Sequence, residues 1–417
     1  MTISLASPRS ASPPLRMGTV LLGFAVPISV ALDNLLLAVL LLGGLFNARE
    51  VWRIVTQYPV ARAAWLLFAA LFLAMFYGAT PLREAAGILG KYIDLAFVPL
   101  FMLMLPDEAI RRRAQHAFLA AMGLTLLLSF LVGSGLLPVQ RWMNTLAAPD
   151  NPAIFHSHIT QNNMMAFAVF LALLNLRDAS SRVAQAVWGL FALLGAVNVL
   201  FMVQGRTGYM ILLALLGWFG WSTLTRYMRR RGRAWGWRQG AVIALALMVL
   251  ATLAYQASPR LHDRVGLVIS EYRAWQPDHG KDTSTGQRLD FYSNTLQIIR
   301  QHPVFGVGTG GFADAFAQQT QGRDVLQTRN PHNEYLMIVA QTGVIGLALL
   351  LYLFYTLWRC APYLDTPFGQ DAARGLVLAY LVNCLFNSPL LDHADGLFFA
   401  FMAAVLFAGM RKEKKNA

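Results

Sequence analysis

The chain has 417 residues, of which 56% are hydrophobic and only 13% charged, against about 25% charged in a soluble domain. That composition excludes a water-soluble globular enzyme. The formal net charge of +13 does not read as nucleic-acid binding either, because the cations alternate by loop between long apolar runs.

In chain order, the first sixteen residues are polar and contain Ser and Pro. No small-residue cleavage site follows, so the first apolar run reads as a retained span rather than a removed signal peptide. Apolar stretches of about 17 to 25 residues suffice to cross about 30 Å of hydrocarbon. The sequence therefore predicts an all-α integral membrane protein of about twelve spans. They fall at 17–32, 35–48, 60–79, 91–105, 114–137, 159–176, 183–203, 208–225, 240–256, 334–358, 374–390 and 394–410. The short outer loops hold only Arg83, Lys91, Arg141 and Arg206. The opposite loops hold far more basic residues, among them Arg111, Arg112, Arg113, the cluster from Arg226 to Arg238, and Arg411 to Lys415, which places both termini in the cytoplasm. Cys360 at a helix end and Cys384 inside a span imply neither a disulfide nor a cysteine-rich metal site.

The organisation is one integrated domain: residues 1–256 with spans one to nine, an outer loop at 257–332, and residues 333–417 with the last three spans and a short cytoplasmic tail. Within the loop, Leu289, Tyr292, Leu296 and Ile299 recur at helical spacing and predict a helix between Thr285 and Gln301, stopped by Pro303 and Gly306. Gly306, Gly308, Gly310 and Gly311 follow. They lack a βαβ context and the Lys-Ser/Thr of a phosphate loop, so they read as tight packing of the loop on the bundle. The loop also carries Arg260, Arg264, Arg273, Lys281, Arg288, Arg300, Arg323 and Arg329, a basicity that an anionic substrate explains.

Ionisable groups at membrane depth are costly and point to function. Lys91 is expected to begin span four, Arg206 sits in the tight turn Gln204-Gly205-Arg206-Thr207-Gly208, Arg288 opens the loop helix, and His332 precedes span ten. All four can meet at the outer headgroup level. A guanidinium fork held near the bundle mouth binds phosphate oxygens through paired hydrogen bonds, and a neutral imidazole accepts a proton. Arg83 and Arg141 are further substrate contacts or surface charges. Asn333 orients the ring, binds a sugar hydroxyl, or caps a helix. His156 and His158, with Asp392, His393 and Asp395 as conceivable partners, are too weakly spaced to predict a metal site. A transporter would carry its charges near the bilayer midplane; here they gather at one surface.

These motifs, with Gly286-Gln287-Arg288, Pro303 to Gly308, Pro331-His332-Asn333-Glu334 and Gly343, resemble the O-antigen ligase and polymerase superfamily, most closely the lipopolysaccharide O-antigen ligases. The resemblance implies a membrane-embedded C-type glycosyltransferase of the bacterial inner membrane with its active site facing the periplasm. It would use no metal or other cofactor. Its donor would be an undecaprenyl-pyrophosphate-linked O-antigen and its acceptor a terminal core sugar of lipid A-core. His332 would be the general base; Arg206 and Arg288 would bind the pyrophosphate; Lys91, Arg83, Arg141 and Asn333 would contact substrate; and the anomeric carbon would be inverted. O-antigen polymerases and protein O-oligosaccharyltransferases share these motifs. The chain's end soon after span twelve favours the ligase over the protein-glycosylating relatives.

Overall fold

The structure, a computed structural model, describes residues 12–232 and 259–410 throughout and scattered positions between them. The described residues are helical and contain no strand beyond an isolated bridge between Ala148 and Asn151. In chain order the helices are α1 (Pro13–Ala25), α2 (Val30–Leu45), α3 (Ala48–Gln57), α4 (Pro59–Ala74), α5 (Leu82–Lys91), α6 (Asp94–Met104), α7 (Glu108–Gly133), α8 (His158–Asp178), α9 (Arg182–Val197) and α10 (Arg206–Arg230). There follow α11 (Pro259–Ala274), α12 (Ser284–Gln301), α13 (Phe312–Gln319), α14 (Glu334–Cys360), α15 (Pro367–Phe386) and α16 (His393–Phe407).

This is a multi-pass membrane protein. Asn162, Asn163, Glu334 and Gln341 are fully buried, whereas Leu45, Phe46, Leu73 and Val183 are exposed. That is the arrangement of a bundle whose solvent is hydrocarbon and whose interior holds the polar groups that must be paired. Among the described residues, five helices are long and apolar enough to cross a membrane. The number rises to seven when α2 with α3, bent by 91°, and α5 with α6, bent by 43°, each count as one broken span. Shorter apolar helices Pro59–Ala74 and His393–Phe407 stand beside them. Each expected span overlaps a helix except 240–256, which lies largely outside the described residues, but the first, 17–32, straddles the break between α1 and α2. Lys91 does not begin a span: it is the last residue of α5, and the apolar helix α6 starts at Asp94 after the bend.

The segment expected as a long loop, 257–332, is largely helical. The expected helix is present as α12, begun by Thr283, whose side chain accepts the Gly286 N–H. α11 and α13 flank it, and α13 buries Phe312 and Phe316, one turn apart.

The glycine turn locks this loop to the bundle. α14 breaks at Gly343, where φ is +64° and ψ −163°. The carbonyls freed by the break are taken up by the loop: Val307 N–H donates to Ala340 O at 2.8 Å and Gly308 N–H to Gln341 O at 2.9 Å. Thr309 extends the seam to α4, its N–H bonding Ala74 O and its hydroxyl Leu71 O. A Cβ on Gly343 would stand 2.0 Å from Val304 O, in a backbone region that only glycine occupies readily. Gly343→Ala is therefore expected to cost about 3 kcal/mol or more in stability. Thermal unfolding in detergent checks it, and an unchanged midpoint would show that the loop does not seat in this break.

Candidate active site

A cavity of about 630 Å³ opens where the N-termini of α8 and α10 meet α11 and α12. Its polar lining includes Arg206, Arg288, His158, Gln204, Ser284 and Asp263; its apolar wall is Leu200, Phe201, Met202 and Leu267. Three of those wall residues belong to a π-helical turn, Asn198–Met202, that extends α9, an irregularity frequent at functional sites.

Arg206 is placed by glycine packing. It is the first residue of α10, and the turn before it is pressed against Asn162 of α8. A Cβ on Gly205 would come within 2.4 Å of Asn162 Nδ2, and one on Gly208 within 2.6 Å of Asn162 Cβ. Asn162 Nδ2 in turn donates to Val203 O at 3.2 Å. The two glycines thus let α10 begin directly on α8, and Arg206 emerges at the cavity wall.

Arg288 is placed by a folded base beneath α12. Asp290, buried, accepts hydrogen bonds from Trp275 Nε1 at 2.8 Å, Asp278 N–H at 3.0 Å and Gly280 N–H at 2.7 Å. Residues 275–280 are thereby wrapped around the first turns of α12. Arg288 is half-buried and makes no hydrogen bond or ion pair among the described residues, so its fork remains open to a ligand.

His332 lies beside Arg288 rather than in the cavity lining. Its ring stacks on Phe291, one turn along α12 from Arg288, with centroids 6.1 Å apart and planes 27° apart. Its φ of +55° is in the left-handed region, and its N–H donates to Asn330 Oδ1 at 2.8 Å. Burial lowers its pKa below the ordinary 6.5, and the Arg288 charge lowers it further, so the imidazole is neutral at pH 7. No side-chain hydrogen bond of His332 is present among the described residues, which leaves the ring able to accept a proton.

The remaining predicted residues are elsewhere. Asn333 caps α14, accepting the Leu336 N–H at 3.0 Å, while its amide donates to Leu385 O at 3.0 Å; both ends of the side chain are engaged. Lys91 and Arg83 are exposed on α5, and Arg141 is exposed in the connection between α7 and α8; none lines the cavity. The conceivable metal ligands are engaged with other partners. His156 Nε2 meets Val26 O, His393 lies between Asp33 and Asp94, and Asp395 accepts from Thr160 and Asn163. Among the described residues no group of three or more His, Cys, Asp or Glu could hold a metal ion.

The link between the two halves of the site is the segment from Asn383 to Leu391, which has no obvious motif. Asn387 Nδ2 donates to Thr207 Oγ1 at 3.0 Å, beside Arg206, and its carbonyl accepts the Glu334 N–H at 3.0 Å, two residues from His332. Glu334, fully buried, accepts from Leu390 N–H at 2.8 Å and Tyr92 OH at 3.1 Å. Ser388 Oγ shares Asn330 Oδ1 with His332. The only sequence signal for this brace is a polar break, Asn387-Ser388-Pro389, between two apolar runs. Asn387→Ala would leave buried Thr207 and Asn383 oxygens without their donor, at a cost of about 1 to 3 kcal/mol. A lowered unfolding midpoint is the expected readout, and no change would mean that the brace carries no weight.

Residues 190–351 match the family described as O-antigen ligase. That match, over about two fifths of the chain, supports a place in the O-antigen ligase and polymerase superfamily. The matched residues include Arg206, Arg288 and His332 and the cavity walls from α10, α11 and α12, but not α8, which supplies His158 and Ile159. A Haemophilus influenzae relative described as an uncharacterized protein is 23% identical over 177 residues, covering 40% of this chain. The chain matches 44% of that relative's length.

Proposed function

We propose that the protein is an O-antigen ligase, moving O-antigen from undecaprenyl pyrophosphate to a core sugar of lipid A-core at the periplasmic face of the bacterial inner membrane. The observation that carries this reading is the cavity in which Arg206 and Arg288, from separate elements, stand beside an apolar wall, with neutral His332 next to Arg288. Its volume falls within the range of about 300 to 1,000 Å³ usual for small-molecule sites. Cations beside apolar surface suit a pyrophosphate that carries a sugar on one side and a lipid on the other.

The donor is already activated, so the reaction needs no nucleotide. His332 takes the proton from the acceptor hydroxyl, the oxygen attacks the anomeric carbon, and the bond from that carbon to the pyrophosphate oxygen breaks. The leaving pyrophosphate gains charge, which Arg206 and Arg288 stabilise through hydrogen bonds fixed in advance. Attack opposite the leaving group inverts the anomeric carbon. Lys91, Arg83 and Arg141 are assigned to the outer surface over which the glycan and the acceptor's anionic groups pass.

The test is transfer of a purified undecaprenyl-pyrophosphate glycan to purified lipid A-core in detergent with chelator present. Product with an inverted linkage supports the proposal; a retained linkage overturns the mechanism. The acceptor is settled in a strain lacking the gene. A ligase leaves polymer on undecaprenyl pyrophosphate and none on core, a polymerase leaves single repeats on core, and a protein oligosaccharyltransferase leaves lipopolysaccharide intact.

A further inference from the structure

At the opposite membrane face, the far ends of the same helices gather a second set of cations. α8 runs from His158 at the cavity to Arg177, and α10 from Arg206 to Arg226, each about 30 Å at 1.5 Å per residue. There Asp371, buried at the start of α15, is bound by Arg177 at 2.9 Å and also by Arg226. Arg177 is further held by Asp178, Ser222 and Thr223, and Arg226 by Pro367 O. These two guanidiniums engage Asp371 and Asp178.

Arg374, one turn along α15 from Asp371, is left over. Its guanidinium lies 5.6 Å from the Trp218 ring and 5.4 Å from the Trp358 ring, which meet edge to face at 5.3 Å. Two indoles from α10 and α14 thus hold it in place by cation–π contact. Among the described residues Arg374 makes no hydrogen bond and no ion pair; its Nε is buried without an acceptor, and so is Trp218 Nε1. The charges that act on it are Asp371, already shared by two arginines, and the like-charged Arg229. A guanidinium is only a donor, and a half-buried one with no acceptor is costly to maintain without an anion. Interfacial tryptophans mark headgroup level, and basic pockets between spanning helices are sites where anionic lipids dock.

We infer that the crevice between α10, α14 and α15 at this face binds the phosphodiester headgroup of an anionic membrane lipid, with Arg374 as the phosphate-binding fork and Trp218 and Trp358 as its walls. The lipid is one of the surrounding leaflet, not a substrate of the cavity on the other face.

Native mass spectrometry of the full chain in detergent tests this, with phosphatidylglycerol and zwitterionic phosphatidylcholine offered at equal concentration. The parent protein should retain phosphatidylglycerol about fivefold more than phosphatidylcholine, and Arg374→Gln should remove that preference, the scale expected for one arginine near the surface. Arg112→Gln, which removes an exposed arginine already paired with Glu108, should keep it. Equal retention by the parent protein and Arg374→Gln would overturn the inference. Should Arg374→Gln not fold, a phosphatidylglycerol with a photoactivatable headgroup decides on the parent protein alone. Labelled peptides containing Trp218, Trp358 or Arg374 support the site, and labels confined to the cavity face overturn it. Inorganic phosphate raising the unfolding midpoint while phosphatidylglycerol is not retained would overturn the lipid as the source of the anion.

Discussion

His332→Asn is expected to lower the rate of glycan transfer by about a hundred- to ten-thousandfold, the usual worth of a positioned general base, while leaving the protein folded. Asparagine is the informative replacement because residue 332 has a φ of +55°, which Asn adopts with less strain than Ala. His332→Ala would mix lost chemistry with backbone strain. Initial rates of transfer, with the unfolding midpoint measured in parallel, separate the two. A rate within a few-fold of the parent would remove His332 from the mechanism. The pH dependence has a definite sign. Burial and the Arg288 charge both push the folded pKa below 6.5, so the active neutral form persists into mildly acidic solution and the acid limb of the rate lies below that value. The same shift contributes stability that is present above pH 6.5 and is lost as pH falls through the folded pKa, because the unfolded chain binds the proton more readily.

Much of this site was legible in the sequence because its residues sit beside local signals. Arg206 lies between two glycines, and those glycines are where α10 touches Asn162. Arg288 opens a loop segment with a helical apolar period, and that segment is α12. The brace was not legible, because its partners are distant in the chain: Thr207 and Asn387 are 180 residues apart, and Tyr92 and Glu334 are 242. An asparagine at a helix end carries no mark of the hydroxyl it will meet. Asp290 escaped for the opposite reason. It sits two residues from Arg288 inside a recognisable helix, but its role depends on irregular backbone at 275–280 that folds back onto it. Lys91 was misplaced because hydropathy runs smoothly across a bend: α5 and α6 together have the composition of one span, and only backbone geometry shows that they part by 43°.

Arg288→Gln should reduce the rate by about a hundred- to a thousandfold, the usual cost of removing one preorganised donor from developing charge. The side chain is open to a ligand among the described residues, so the loss falls on the reaction and not on a structural ion pair, and the unfolding midpoint should stay near that of the parent. Arg288→Lys keeps the charge without the planar fork and should recover only part of the rate, since a point charge cannot pair two phosphate oxygens at once. Full recovery would mean that Arg288 acts only through its field. The glutamine variant also moves a second observable. With the cation gone, one of the two influences that disfavour imidazolium at His332 disappears, and the acid limb of the pH profile shifts upward toward the ordinary histidine value. A slower enzyme with an unmoved acid limb would uncouple Arg288 from His332 and place the proton acceptor elsewhere. A slower enzyme with a raised limb would join the anion-binding arginine and the base in one site, as the stacking of His332 on Phe291, a single turn from Arg288, leads one to expect.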